Sequence, residues 1–357
     1  MLKAKQNRSL KLDINSRWIK VASPIVAVLL ALLFTSLVLI FTGTNPLDAY
    51  RQILNGAFGS TGRVSDVTVA WVPLLLATTG LLITFTAGLW NIGIEGQITL
   101  GAIFTTGMMR LLQDSSLSPA MIITLSMLAG MVGGALWAGL AGALKTFGGV
   151  NEIFGGLGLN FVAMSLTLWL IFGPWKRPGI GSMSGTQPFP QTLWLPTLDT
   201  LRVSPWAVIL GILAIIVIYL LLRGTYFGLK LKAVGKNIRG AYLLGVPTWQ
   251  YMMMAFFVCG ALAGLAGAVQ VTGVYHRLIP SISSGYGYMG LMVAMLVNFN
   301  PIWAGFVAFF FASLNIGSIQ LPIVLKLDSA LAGVLQGALV LAVLMVNGAR
   351  QRLLRKS

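Results

Sequence analysis

Cysteine and histidine are almost missing from this 357-residue chain, which holds one of each. Cys259 has no second thiol for an intrachain disulfide and lies in an apolar run, where it reads as a small core residue. One histidine and one cysteine assemble no metal-ligand cluster, so no metal site is expected. His276, beside Arg277 in a loop, reads as a solvated side chain. Gly235-Lys236 lacks the upstream glycine and the following Ser or Thr of a phosphate-binding loop. Nothing pairs a nucleophile with a base. The chain is therefore not read as an enzyme; it carries no catalytic residues and no cofactor of its own, and any ATP is spent by another subunit. Acids are scarce as well: eight Asp and Glu stand against 24 Lys and Arg, and Glu95 and Glu152 are the only glutamates.

Apolar residues fill the space left. Hydrophobic types make up 57% and charged types 9%, with a mean hydropathy of +0.86, whereas soluble domains are about one quarter charged. This is the composition of an integral membrane protein. Apolar runs at 21–42, 67–88, 98–113, 120–144, 153–173, 205–222, 250–271, 286–299, 302–320 and 329–347 approach the ~20 residues a membrane helix needs. The expectation is an all-α polytopic bundle of about ten transmembrane helices, with the runs at 98–113 and 286–299 short enough to be broken or tilted. The first run is longer than a cleaved signal core and reads as a retained span.

A net charge of +16 raises the question of nucleic acid, but the cations flank the apolar runs. With ten spans and a cytoplasmic N-terminus, two thirds of the 24 cations fall on the cytoplasmic side, as the positive-inside rule favours. Both termini are then cytoplasmic, and the basic tails serve as topology determinants and lipid-headgroup contacts. The expected organisation is a basic tail at 1–20, one transmembrane domain at 21–347 and a basic tail at 348–357. Within the domain, residues 43–66 form a connector with a short helix near Pro46–Gly56, and 174–204 form an external loop with Trp175, Trp194 and Trp206 near its borders. Residues 223–249 form the long basic internal loop. The glycine and alanine run at 133–143 resembles that at 260–268. Such small residues let helix backbones approach closely, so convergent packing explains the likeness as well as duplication does.

Three stretches carry candidate function. In Asn91-Ile-Gly-Ile-Glu95-Gly-Gln97, glycines weaken the helix while Asn91, Glu95 and Gln97 supply donors and acceptors. Ionisable groups within a membrane segment face a bundle interior, water or a partner, so a broken element on a permeation path is one reading. A capped turn between spans is the other. Asn151 and Glu152 open the run at 153–173 and suit either a helix cap or a gate. Asn160 lies eight residues past Glu152 on nearly the same helix face. Gly285-Tyr286-Gly287-Tyr288-Met289-Gly290 matches a dinucleotide fingerprint in letters only, since no strand precedes it. Tyr286 and Tyr288 there stack on a ring or anchor the membrane interface. Finally, residues 228–248 form a short, basic, amphipathic segment suited either to docking on a cytoplasmic partner or to lying solvated.

Taken in order, Asn91 to Gln97, Gly149-Val-Asn-Glu152 with Asn160, the 228–248 loop and Gly285 to Tyr288 with Val293-Ala294 resemble the permease subunits of bacterial ABC importers. The likeness is to the ribose/branched-chain-amino-acid permease superfamily, nucleoside type, and covers nearly all of the chain after residue 20. It implies a core like that of type II importers, moving nucleosides or a related simple sugar across the bacterial cytoplasmic (inner) membrane. It also implies a second, different permease as partner, ATPase subunits carrying ATP-Mg, and an extracytoplasmic substrate-binding lipoprotein. Asn91, Glu95, Gln97, Asn151, Glu152, Asn160, Tyr286 and Tyr288 become the pathway or gate residues. The loop pattern carries Ala233, Gly235, Asn237, Ala241 and Gly245, while Ile238 replaces a proline and Gly240 an alanine. Lys232, Gly235, Asn237, Arg239, Ala241 and Gly245 are the expected contacts for the ATPase. The competing expectation is a self-sufficient ion-coupled transporter with Glu95 and Glu152 as its ion sites.

Overall fold

The computed structural model describes residues 26, 28–179, 184–198, 201–297, 299–328 and 330–356. The expected basic tail at 1–20, the first residues of the 21–42 run, and parts of the 174–204 loop lie outside the described residues. Every regular element among the described residues is helical, as the composition requires. A chain that threads apolar surroundings must satisfy its backbone groups within each segment, and helices do so.

Two compact units form, one from the described residues of 61–312 and one from the described residues before 61 and after 312. The larger begins with α3 (Thr61–Thr86), α4 (Ile94–Leu112), α5 (Pro119–Thr146) and α6 (Glu152–Phe172). It continues with α7 (Pro205–Gly224), the short α8 (Tyr226–Lys236) and α9 (Ile238–Leu243), then α10 (Thr248–Val269) and α11 (Tyr286–Leu296). α12 (Pro301–Gly317) follows, its residues from Ser313 on belonging to the smaller unit. In the smaller unit, α1 (Val28–Phe41) and α2 (Pro46–Phe58) meet at a bend of 111°, and α13 (Gln320–Val324) and α14 (Leu331–Lys356) complete it. Asn45 accepts from Leu47 N and Pro46 stands at the first position of α2, which starts that helix cleanly. Leu39, Ile53, Leu314, Leu321 and Leu335 form this unit's own apolar cluster.

Each of the ten apolar runs is largely helical where it is described, yet among the described residues six helices are long and apolar enough to cross a membrane, or seven if the bent α1–α2 pair is one span. The difference has physical causes. α11 has 11 residues, about 16 Å of helix, half of a bilayer core of about 30 Å. α4 has the length, at 19 residues, but Glu95, Gln97, Arg110 and its threonines make it too polar. α14 runs on to Lys356, so the backbone of the expected tail at 348–356 is helical. The basic loop forms two short helices, capped by Thr225 and Asn237.

Packing in the larger unit centres on α10, which lies against α3, α4 and α5. The two small-residue runs noted in the sequence pack on each other. A Cβ at Gly134 would collide with Gly260 O, and one at Gly264 with Gly130 O; Gly101 and Gly267 bring α4 equally close to α10. Close packing thus accounts for the likeness of the two runs. Exposed Phe154, Phe161 and Trp169 on α6, with Leu213, Ile216 and Leu220 on α7, give these helices faces suited to lipid or to another membrane chain.

Candidate functional site

The turn between α3 and α4 starts at Gly88, whose φ of +74° takes the left-handed region glycine enters without strain. Asn91 and Gln97 face each other across it as a reciprocal amide pair. Asn91 Nδ2 donates to Gln97 Oε1 at 3.0 Å and Gln97 Nε2 to Asn91 Oδ1 at 2.8 Å. Asn91 Nδ2 also donates to Cys259 Sγ at 3.1 Å, which ties the turn to α10 and gives the lone thiol a polar contact beyond packing. Both amides are buried, and the pair satisfies itself.

Gly93 caps α4 without a side-chain hydrogen bond. Asn160 on α6 fills that role in trans: its Oδ1 accepts from Gly96 N at 2.8 Å, and its Nδ2 donates to Ile92 O at 2.9 Å. One side chain therefore holds both arms of the turn. The backbones of Gly93 and Gly156 touch to permit this.

Glu95, in the first turn of α4, is 6% exposed. Its Oε1 accepts from Tyr288 N, in the first turn of α11, at 3.2 Å. Gly287 makes the approach feasible, because a Cβ there would stand 3.0 Å from Glu95 N and 3.1 Å from Glu95 Cδ. Two helix N-termini, each with a partial positive charge, thus meet at one carboxylate. Glu95 Oε2 has no hydrogen-bond partner. It borders a cavity of about 250 Å³ whose wall includes Asn160, Ser283, Tyr288, Thr99 and Phe161.

The structure therefore brings Glu95, Asn160 and Tyr288 together at the cavity and leaves the other expected residues elsewhere. Asn91 and Gln97 lie behind the turn. Tyr286 is buried and does not line the cavity. Asn151 is an exposed N-cap that accepts from Ile153 N at 2.9 Å. Glu152 pairs with Lys145 at 2.6 Å and also stays out of the cavity lining. Glu95 and Glu152 are thus not brought to one site. Since this ion pair is partly exposed, Glu152→Gln should lower stability by less than about 1 kcal/mol, read as a shift in thermal unfolding; a loss of several kcal/mol would assign Glu152 a larger role.

Ser281, Ser283 and Thr99 were not singled out from sequence. The two serines lie in a loop where His276, Ser281, Ser284 and Gly285 all have positive φ, a cluster of strained backbone of the kind found at functional sites. The Ser281-Ile-Ser-Ser-Gly285 run was the available signal. His276 departs from its expected solvated state. It is half-buried and stacks on Trp194, with ring centroids 3.7 Å apart and planes 7° from parallel; burial holds its pKa below the ordinary range. Around it, segment 186–195 is bonded to 272–278: Thr186 N donates to Leu278 O and Phe189 N to His276 O, both at 2.9 Å. Leu278 N donates back to Thr186 Oγ1 at 3.1 Å.

A second face lies on α8 and α9. Lys232 Nζ donates to Leu222 O at 2.6 Å, Asn237 caps α9 by accepting from Gly240 N at 2.9 Å, and Ala241 is buried. Gly245, at φ +79°, turns the chain toward α10. Arg239 is exposed, alongside Tyr242, Leu243 and Leu244. Gly235 packs backbone to backbone on the turn after α3, with its carbonyl 3.1 Å from where a Gly88 Cβ would stand.

Residues 63–344 match the family model described as branched-chain amino acid transport system / permease component. The chain is 28% identical to a glucose ABC transporter permease protein of Haloferax volcanii, over 91% of this chain and 87% of the relative. It is 26% identical to a nucleoside ABC transporter permease protein of Lactococcus lactis, over 85% of each. It is 24% identical to a guanosine ABC transporter permease protein of Bacillus subtilis, over 90% of this chain and 92% of the relative. Each of the last two organisms also holds a second permease, of the same printed description, that is similar to this chain.

Proposed function

The chain belongs to the branched-chain amino acid transport permease family, which makes it a membrane permease component, and from that premise we propose that it serves an ATP-binding cassette importer of nucleosides or a related simple sugar. The observation that carries this reading is the cavity at Glu95: a pocket within a helix bundle, built where two helix N-termini converge, with amide, hydroxyl and aromatic groups in its wall. In this reading a separate ATPase subunit binds ATP-Mg, an extracytoplasmic lipoprotein delivers the substrate, and a second, different permease completes the pathway. The paired permeases of the two bacterial relatives support that last partner. The chain sits in a bacterial cytoplasmic membrane as one transmembrane domain with both termini cytoplasmic. The ATPase docks on α8 and α9, where Arg239 and the apolar side chains beside it are free to be covered.

Detergent extraction of the tagged chain from its native membrane should co-purify an ATPase and a second permease. Arg239→Glu should weaken ATPase recovery about tenfold, equivalent to ~1.4 kcal/mol, while leaving the melting of the chain unchanged. Full uptake by the lone chain in proteoliposomes, driven by an ion gradient without ATP, would refute the proposal.

A further inference from the structure

We propose that the Glu95 cavity is a subsite for the neighbouring hydroxyls of a furanose or pyranose ring, read by Glu95 Oε2, and that it rejects anionic ligands. The inference rests on the importer reading above and adds the chemistry of what passes.

The carboxylate comes first. Oε1 is committed to Tyr288 N, while Oε2 is without a partner on a side chain that is 6% exposed and lines the cavity. A carboxyl oxygen accepts hydrogen bonds, and donates one when protonated, so a group able to do both completes it in either state. The positive ends of α4 and α11 face this carboxyl, so no cation is required beside it. Hydroxyls are such groups.

The rest of the wall fits the same ligand class. Asn160 and the hydroxyls of Ser283 and Thr99 stand in the lining, and so do the rings of Tyr288 and Phe161. The Ser283 hydroxyl stands beside the Glu95 carboxyl and acts on it, so the two groups face a ligand together. Polar groups that both donate and accept suit a ring bearing several hydroxyls, and aromatic faces suit its C–H face or a base. Among the described residues of the lining, Glu95 is the sole charged group. A carboxylate or phosphate on a ligand would therefore find an acidic side chain and no cation in this wall, which argues against free amino acids and nucleotides as cargo.

The test uses the assembled importer in proteoliposomes with ATP inside the accessible compartment. Four probes are taken up separately: guanosine, 2′,3′-dideoxyguanosine, glucose and 2-deoxyglucose. Each ratio of parent to deoxy analogue is measured for the wild type and for Glu95→Gln, a change that keeps size and the acceptor for Tyr288 but turns Oε2 into a donor. The binding protein is the same in both, so its selectivity cancels. The expected result is that the ratio for the transported ring falls at least about tenfold in the variant, since sites built to bond a hydroxyl discriminate strongly against its loss. The guanosine and glucose arms tell furanose from pyranose. Unchanged ratios in a variant that still transports would overturn the hydroxyl subsite while leaving the importer reading intact. Wild-type uptake of leucine or guanosine monophosphate in place of all four probes would overturn both. Should Glu95→Gln fail to assemble, Ser283→Ala decides in its place: a lowered ratio supports the subsite, and an unchanged one overturns it.

Discussion

Gly264→Leu is expected to yield no monodisperse, folded protein. Gly264 sits where α10 meets α5 and α4 together: Gly130 and Gly134 approach from one side, and Gly101 from the other. A leucine has no void to enter, because the atoms it would meet are backbone carbonyls and Cα atoms of neighbouring helices. Relief would require α10 to move away from two helices at once. Overpacking a core costs up to about 3 kcal/mol when side chains can shift, and here side chains are not what blocks the way. Without the hydrophobic drive that water gives soluble bundles, close van der Waals contact is a main force joining membrane helices, so separation also removes the favourable term. The measurement is size-exclusion homogeneity and thermal unfolding in detergent. Gly224→Ala is the control, since a Cβ there meets nothing within 4 Å. A Gly264→Leu protein that melts with the wild type would refute the packing argument.

Gly235→Ala should separate ATP hydrolysis from uptake. Its Cβ would run into Thr86 O, and Gly88 is held against the carbonyl of Gly235. From Gly88 the chain leads within a few residues to the Asn91–Gln97 pair and then to Glu95. The ATPase-facing helix α8 thus rests on the turn that positions the carboxylate. Displacing that contact alters the turn while leaving exposed Arg239 and its neighbours in place. With coupling energies of 1–3 kcal/mol typical between linked sites, uptake is expected to fall by about 5–150-fold. Recovery of the ATPase and its basal turnover should stay within about twofold. Equal loss of hydrolysis and uptake would mean that Gly235 acts in assembly and not in transmission.

The fold class was legible because hydropathy reports burial in an apolar environment directly, and over its described residues each apolar run is largely helical. The number of full spans was not, since α4 trades apolar surface for Glu95, Gln97 and threonines that other helices cover, and α11 is cut short by the glycine and serine loop before it. At the site, Glu95 and Asn160 were readable as polar residues in oily surroundings. Glu152 shares a helix face with Asn160 but lies eight residues earlier, about 12 Å along the axis, which places it beside Lys145 instead of the cavity. The pairing of Asn91 with Gln97 depends on the turn between them, and no period in the sequence announces a contact six residues apart. Ser281 and Ser283 escaped notice because loop residues carry no periodicity.

The bonded stretch at 186–195 has a mechanical consequence. Its hydrogen bonds and the Trp194–His276 stack fasten it to 272–278, and that strand of chain runs straight on into Ser281 and Ser283 beside the hollow. Tension applied to the first is delivered to the second through a few covalent links. A pull on 186–195 is therefore expected to be felt at the two serines in the wall of the chamber.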